Sequence, residues 1–323
     1  MSERYDDVRR QLVRRGYLQG PIERFVLRDL VAAKGPRALA RSRTAVEEAL
    51  AQAVPPLGSS PSSLHEAMRY TLLLPGKRLR GILVLACCDL LKGRSEDALP
   101  LASAIELTHA SSLILDDLPS MDNAALRRGK PTLHKVVGEA QAILAAVGLL
   151  NAAFALIQEA PALNDRAKVR ATTRLAEAIG GGGLIGGQVA DLEATGKKID
   201  LDALEYIHSH KTGALFIAAA ELGAIAASAR PREVEALRGY AKNLGLAFQI
   251  TDDLLDYSGT PGTTGKDAGL DRDRTTFVNL CGIDGARRLT DELIVASVAA
   301  LAPFGRRAEL LTGLADMVRE RDR

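Results

Sequence analysis

The sequence predicts an all-α protein, a single-domain bundle of long helices, on three observations. β-Branched residues rarely alternate with polar ones, so strand signals are weak along almost the whole chain. Ala and Leu instead recur three and four residues apart over long stretches, the spacing that stacks side chains on one helix face. The interruptions fall where Gly and Pro cluster: PPLGSSPSS at 55–63, Pro119, GGGG at 180–183 and SGTPGTTGKDAG at 258–269.

Taken in order, the first 34 residues are rich in Arg, carry Gly20-Pro21 and predict two short amphipathic helices. They are expected to form a packing arm or an oligomer contact rather than a regulatory or targeting segment. Residues 1–35 are therefore set apart as an N-terminal extension, with one catalytic domain over 36–323. After the break at 55–63 come helices over 63–74 and 80–92, the second opened by Gly76-Lys77-Arg78-Leu79-Arg80. Helix 97–117 ends in SSLIL and an acidic pair, and helices over 136–159 and 166–180 follow, the latter stopped by the glycine run. Helices over 200–208 and 211–228, the second opened by Lys211-Thr212-Gly213, lead to 231–257, which ends in a second acidic cluster. Helices over 284–302 and 305–320 close the chain. No internal repeat of 20–50 residues is evident.

The 323 residues carry 42 Lys+Arg against 40 Asp+Glu, a net charge of +2, which excludes a nucleic-acid binder working by bulk charge. Aromatics are 4% and Trp is absent, so stacking platforms for bases or sugars are scarce. Three cysteines cannot make a disulfide framework, and the polar stretch after Met1 has no apolar core of a signal peptide. The longest strongly apolar stretch, 214–229, is interrupted by Glu221 and is too short to span a bilayer. A soluble, cytoplasmic protein without membrane insertion is expected.

Two acidic clusters carry the chemistry. Asp116-Asp117-Leu-Pro-Ser-Met-Asp122 and Asp252-Asp253-Leu-Leu-Asp256 each end an apolar helical run, where charge is costly unless compensated. Asp252 and Asp256, four apart, share one helix face. Asp116 and Asp122, six apart, would sit roughly 120° apart on a regular helix. A break at Pro119 would bring them together. Oxygen-only clusters suit Mg²⁺ shared with substrate phosphates. Lys77, Arg80, Arg127, Arg128, Lys211 and Lys266 supply positive charge for two polyphosphates, one held through metal and one directly. His109 lies seven residues before Asp116, on roughly the same side, and can donate to a phosphate. Gln188 and Asp191 lie three apart on a helix face behind Gly186-Gly187, and a site-lining role is expected for them. His208 and His210 point apart, which argues against zinc.

In order along the chain, GKRLR, HASSLILDDLPSMD, LRRGKPTLH, GGQVADL, HKTGALF, AFQITDDLLD and TGKDAGLDRDRTTF resemble the trans-isoprenyl diphosphate synthases, the polyprenyl synthetase family. The likeness covers roughly residues 36–323 and is closest in pattern to bacterial short-chain geranylgeranyl and farnesyl diphosphate synthases. It implies helices around a deep central cavity, a homodimer, and condensation of isopentenyl diphosphate with an allylic diphosphate, releasing diphosphate. By motif it implies that Asp116, Asp122 and Asp252 hold Mg²⁺, three ions in all, on the allylic diphosphate, with Asp117 and Asp256 in support. Arg127, Lys211 and Lys266 would bind that diphosphate; Lys77, Arg80, His109 and Arg128 would bind isopentenyl diphosphate. Thr212 and Gln249 would face the developing allylic cation. Ser111 and Ser112, five and four residues before Asp116, lie about 6–8 Å down the helix. Where the family places an aromatic there, growth stops near C15; two serines leave that level open. A floor at Ile105 or Leu101 and a C20 product are expected.

The chain departs from the family at Pro75, Leu115, Ala146-Val147 and Arg274. Val147 stands where an Asp is usual, so Lys211 is expected to lack a charge partner. Two alternatives are a terpene cyclase ionising the same diphosphate and a non-catalytic partner subunit. The cyclase reading lacks its usual second motif and leaves Lys77, Arg80, His109 and Arg128 purposeless; both acidic clusters are intact, against the partner subunit.

Overall fold

The computed structural model describes residues 3–18, 35–258 and 275–320; Lys266 and Arg274 lie outside the described residues. From the N-terminus, α1 (Glu3–Arg14) is followed by α2 (Gly35–Gln52), α3 (Ser62–Leu72), α4 (Leu79–Leu90) and α5 (Ser95–Asp116). A two-residue antiparallel hairpin, β1 (Leu126–Arg127) with β2 (Lys130–Pro131), turns the chain into α6 (Leu133–Val137) and α7 (Glu139–Glu159). Then come α8 (Asp165–Ile179), α9 (Leu184–Ala194) and α10 (Leu201–Ile207), which continues through a π-helical turn (His208–Gly213) into α11 (Ala214–Ala226). Next are α12 (Pro231–Ser258), α13 (Phe277–Ala300), a 3₁₀ segment (Ala302–Ala308) and α14 (Glu309–Arg319).

Two nearly all-apolar helices form the centre, because neither has a polar stripe to offer water. Every residue of α4 except Asp89 is buried, as is every residue of α11 except Ile217 and Ala226. They pack on each other and on α5, while α8 and α12 also pack on α11. A Cβ at Gly223 would lie 2.3 Å from the Val84 carbonyl oxygen, so glycine is what lets α11 approach α4 this closely. The outer pair α12 and α13 packs along its length, and α7 covers α5.

The helices expected from residue 63 onward are present, with differences that have local causes; of the two expected in the first 34 residues α1 is one, and 19–34 lie outside the described residues. Helix 136–159 is two helices, because Gly138 at φ 82° breaks the run between α6 and α7. Helix 284–302 begins earlier, at Phe277, where Thr276 and Asn279 form a capping box, and bends at Gly282 (φ 77°). The expected break at 209–210 is instead the continuous π-helical turn. Helix α2 has no counterpart among the expected helices, and α9 was expected only as the helix face that carries Gln188 and Asp191, without bounds. Two helices, α5 and α7, are long and apolar enough to cross a membrane, contrary to the expectation that no stretch is. About two thirds of the most apolar stretch of α5 is buried in the bundle, but only a third of that of α7. On α7, Ile143, Leu144 and Val147 are exposed.

The N-terminal arm packs against its own chain. Tyr5, Val8 and Leu12 form the buried face of α1, and Tyr17 and Leu18 beyond it are also buried.

Candidate active site

The acidic end of α5 is built by a helix stop. α5 ends at Asp116, and the chain folds back through Pro119 so that the Asp122 N–H donates to the Asp116 carbonyl at 3.0 Å. The break expected from Pro119 thus returns Asp122 to Asp116. The Lys211 ammonium donates to Asp191 Oδ2 at 2.7 Å and to Asp116 Oδ1 at 3.3 Å. Burial would lower the Lys211 ammonium, but Asp116 and Asp191, with Asp122 behind them, outweigh it and raise it. Asp117 turns the other way. It is buried, and the Arg127 guanidinium closes on it, Nε reaching Oδ1 at 3.1 Å and Oδ2 at 3.3 Å. Burial pushes the Asp117 carboxyl up; Arg127 opposes this, and Asp116 and Asp122 add to it.

Two turns up the same helix the charge reverses. Arg78, at φ 49° before α4, points its guanidinium inward and donates to the carbonyls of Leu72 and Leu74, each at 2.8 Å. Arg128 Nη1 reaches the same Leu74 carbonyl at 3.1 Å, and Gly76 leaves room for it: a Cβ there would lie 2.6 Å from that nitrogen. Arg80 is buried with its guanidinium 4.8 Å above the Phe216 ring. Burial first, then Arg80, Arg128, Arg127 and Arg78, hold the His109 imidazole well below its ordinary value. It is therefore neutral and keeps one N–H to donate. Lys77 stands exposed at the edge of this pocket. Glu106, 3% exposed, sits beneath: its Oε1 accepts from the Gly81 N–H at 2.8 Å and its Oε2 lies 3.9 Å from Arg78 Nη1.

The π-helical turn links the first acidic cluster to the second. Lys211 faces Asp116, while the next residue, Thr212, donates through Oγ1 to Gln249 Oε1 at 2.9 Å. Asp252 lies three residues beyond Gln249, one turn further along α12, and Asp256 is exposed a turn later. Asp253 serves the fold, accepting from the Phe277 N–H at 2.9 Å where α13 begins. A Cβ at Gly187 would lie 2.1 Å from the Lys211 backbone nitrogen, so this glycine lets α9 bring Asp191 to Lys211. Gln188 on the same helix places Nε2 3.7 Å from Met121 Sδ, beside Asp122.

Two expectations need correction. Lys211 does not lack a charge partner, since it has Asp116 and Asp191, and Val147 lies exposed on α7. Ser111 does not leave its level open: it is buried, and its hydroxyl donates to the Ala146 carbonyl of α7 at 2.8 Å. Ser112 is half-buried and bonds only its own helix, at the His109 carbonyl. Ile105 and Leu101 are fully buried. Leu115 packs against the core. Glu106 was missed by the sequence reading, and so was the pairing of Asp191 with Lys211. The only sequence signal for Glu106 was its place one turn before His109. His208 and His210 stack on Phe277 and Tyr206 instead of meeting at a metal.

Among the described residues no three carboxylate, imidazole or thiolate side chains converge as a closed metal cage. The donors are all carboxylate oxygens at a helix end, which fits a hard cation completed by water and substrate oxygens.

The polyprenyl synthetase family model matches residues 61–293. The chain is 44% identical over 282 residues to a chloroplastic geranylgeranyl pyrophosphate synthase of Capsicum annuum, covering 86% of this chain and 76% of that protein. Among solved structures it resembles an FPP/GFPP synthase of Zymomonas mobilis, with TM-score 0.80, 36% identity, and 87% of this chain and 98% of the other covered. It also resembles a geranyltransferase of Helicobacter pylori complexed with magnesium and isoprenyl diphosphate, with TM-score 0.79, 30% identity, and 89% and 97% covered. The ordered motifs, the helical bundle and these likenesses agree: the chain belongs to the polyprenyl synthetase family of trans-prenyltransferases.

Proposed function

We propose that this prenyltransferase condenses isopentenyl diphosphate with an allylic diphosphate, releases diphosphate, and makes geranylgeranyl diphosphate (C20) as its main product. One observation carries the reading. α5 presents carboxylates at its end, Asp116 and Asp122 against Lys211, and a cationic pocket around His109 two turns earlier. That polarity suits two diphosphates, one approached through cations and one bound directly.

Asp116, Asp122 and Asp252, with Asp256 and Asp117 in support, would hold Mg²⁺, three ions in this reading, which supplies charge neutralisation for the leaving diphosphate. Lys211 would move from its carboxylates to that diphosphate as the allylic C–O bond breaks, joined by Lys266 and by Arg127 beside Asp117. Thr212 and Gln249 present oxygens toward the allylic cation, and the apolar helices keep water from it. Lys77, Arg80, Arg128 and His109 would orient isopentenyl diphosphate so that its double bond attacks. The proton then lost has no obvious side-chain base and goes to the released diphosphate.

The working unit in this reading is a soluble, cytoplasmic homodimer of a 36–323 catalytic domain with an N-terminal extension. Support comes from the exposed stripe of Ile143, Leu144 and Val147 on α7, which a second copy would cover. The test is an assay with isopentenyl diphosphate, Mg²⁺ and each of the C5, C10 and C15 allylic diphosphates, with products sized by mass spectrometry. A C20 product supports the proposal. A longer product keeps the chemistry and moves the floor deeper than Ile105. A hydrocarbon or alcohol points to a cyclase, and no turnover with any starter points to a partner subunit. Asp116→Ala and Asp252→Ala are each expected to lower kcat by orders of magnitude; near-normal turnover in either overturns the metal assignment.

A further inference from the structure

The N-terminal arm lies outside the residues the family model matches, yet it contacts the elements that carry the site. Arg15 forms a fork between two carboxylates of α10, pairing with Asp202 and donating from Nη1 to Glu205 Oε2 at 2.8 Å. The Tyr17 hydroxyl, in a residue only 4% exposed, donates to Glu205 Oε1. Glu205 lies in α10 just before that helix runs on into the π-helical turn, six residues before Lys211. From the other side, Lys242 of α12 donates to the Arg15 carbonyl at 2.9 Å, and its ammonium lies 4.0 Å from the centre of the Tyr17 ring. Lys242 is seven residues, two turns, before Gln249.

These contacts join the two elements whose relative position sets the Thr212–Gln249 hydrogen bond. α10 and its π-turn are held from one side, α12 from the other, and the residues between are Arg15 and Tyr17. A π-helical turn is a poorer hydrogen-bonding geometry than an α-helix and needs tertiary support to persist. We propose that Arg15 and Tyr17 are positioning residues for the allylic half of the site, a strap that holds the π-turn against α12 and so places Lys211 and Thr212. The inference rests on the proposed reaction for its kinetic readout and on the geometry alone for its structural one.

The arm has a second anchor that provides a control. Arg9 Nε donates to Glu292 Oε2 on α13 at 2.7 Å, and Tyr5 bonds the same carboxylate. That anchor holds the arm without touching α10 or the π-turn.

The experiment compares Tyr17→Phe, Arg15→Ala, Arg15→Lys and the control Arg9→Ala in the full-length protein. Two measurements are made: Michaelis constants for each substrate, and backbone hydrogen exchange with and without Mg²⁺ and inorganic diphosphate. Tyr17→Phe and Arg15→Ala are expected to raise KM for the allylic diphosphate about five- to tenfold, with KM for isopentenyl diphosphate unchanged. Exchange at 208–213 should quicken while that at the start of α4 does not. Arg15→Lys should recover part of the effect, since one ammonium cannot bridge both carboxylates. Arg9→Ala should lower thermal stability without moving the ratio of the two Michaelis constants. A strap of purely structural value would lower stability and leave both constants and the 208–213 exchange unchanged, and that result overturns the proposal. If the wild type turns over none of the substrates, the reaction assignment fails instead, and exchange at 208–213 still decides the strap.

Discussion

Lys211 and Asp191 form a 2.7 Å ion pair across twenty residues of sequence, and a glycine, Gly187, makes the approach possible. The same ammonium reaches Asp116 at 3.3 Å, so its charge is shared between two carboxylates. Lys211→Met is expected to lower kcat about 10²–10³-fold, the range for losing one preorganised charge at a transition state. Asp191→Asn, which only loosens the lysine, should cost about tenfold or less. Val147→Asp puts a charge into the stripe proposed to meet a second copy, so it should weaken self-association, read by sedimentation, while leaving the Lys211 ion pairs in place.

The two serines below the acidic end should separate. Ser112→Phe is expected to shorten the product toward C15, because Ser112 is half-buried and its hydroxyl serves only its own helix. Ser111→Phe must force α7 away from the Ala146 carbonyl, and overpacking of that kind costs about 1–3 kcal/mol. It should lower the melting temperature more than Ser112→Phe does. Product sizing and thermal melts of the two variants check this, and an unshortened product from Ser112→Phe would place the limit elsewhere.

His109 predicts an acid sensitivity. Its folded pKa is depressed, so in the unfolded chain the imidazole takes up a proton at a pH where the folded one does not. Its contribution is fully present above the ordinary value of 6.5 and is lost as pH falls below it. Melting temperatures of wild type and His109→Gln, followed from pH 8 to pH 5, should converge in acid as the wild type loses more. Inorganic diphosphate in the pocket would favour the charged imidazole and flatten the wild-type curve. Parallel curves for the two proteins would refute the assignment.

Glu106 sits under the cationic pocket, with Arg78 3.9 Å away. Glu106→Gln keeps an acceptor for the Gly81 N–H but removes the charge. Breaking a buried pair costs about 3–5 kcal/mol, so the melting temperature should fall markedly. Added diphosphate should then raise it by more in the variant than in the wild type, since an anion replaces the missing carboxylate. An equal increment in both would assign Glu106 to packing alone.

Several features were legible without coordinates because they depend on local chemistry. Apolar runs with Gly and Pro breaks locate helices, as at Gly58 before α3 and the glycine run after α8. Pro119 foretold that Asp122 returns to Asp116, since a proline next to a helix end leaves few other paths for the backbone. Helix α9 was legible only as a face carrying Gln188 and Asp191, and which backbone its Gly187 approaches, that of Lys211, is set by the fold. A break was read at 209–210 where the π-helical turn 208–213 runs on, because such turns have no local signature.

By itself the sequence determined the helical class, the two acidic helix ends, the basic residues near them and membership of an ordered motif series, all set by residue type and spacing. Only the tertiary structure decided which charge meets which. Lys211 pairs with Asp191 and Asp116, Arg127 closes on Asp117, Ser111 faces α7, and the arm's Arg15 and Tyr17 reach α10 just before the π-turn. Spacing along one helix assigns a face. Partners from other helices depend on crossing angles and close approaches, and these are set by the packing of the whole core.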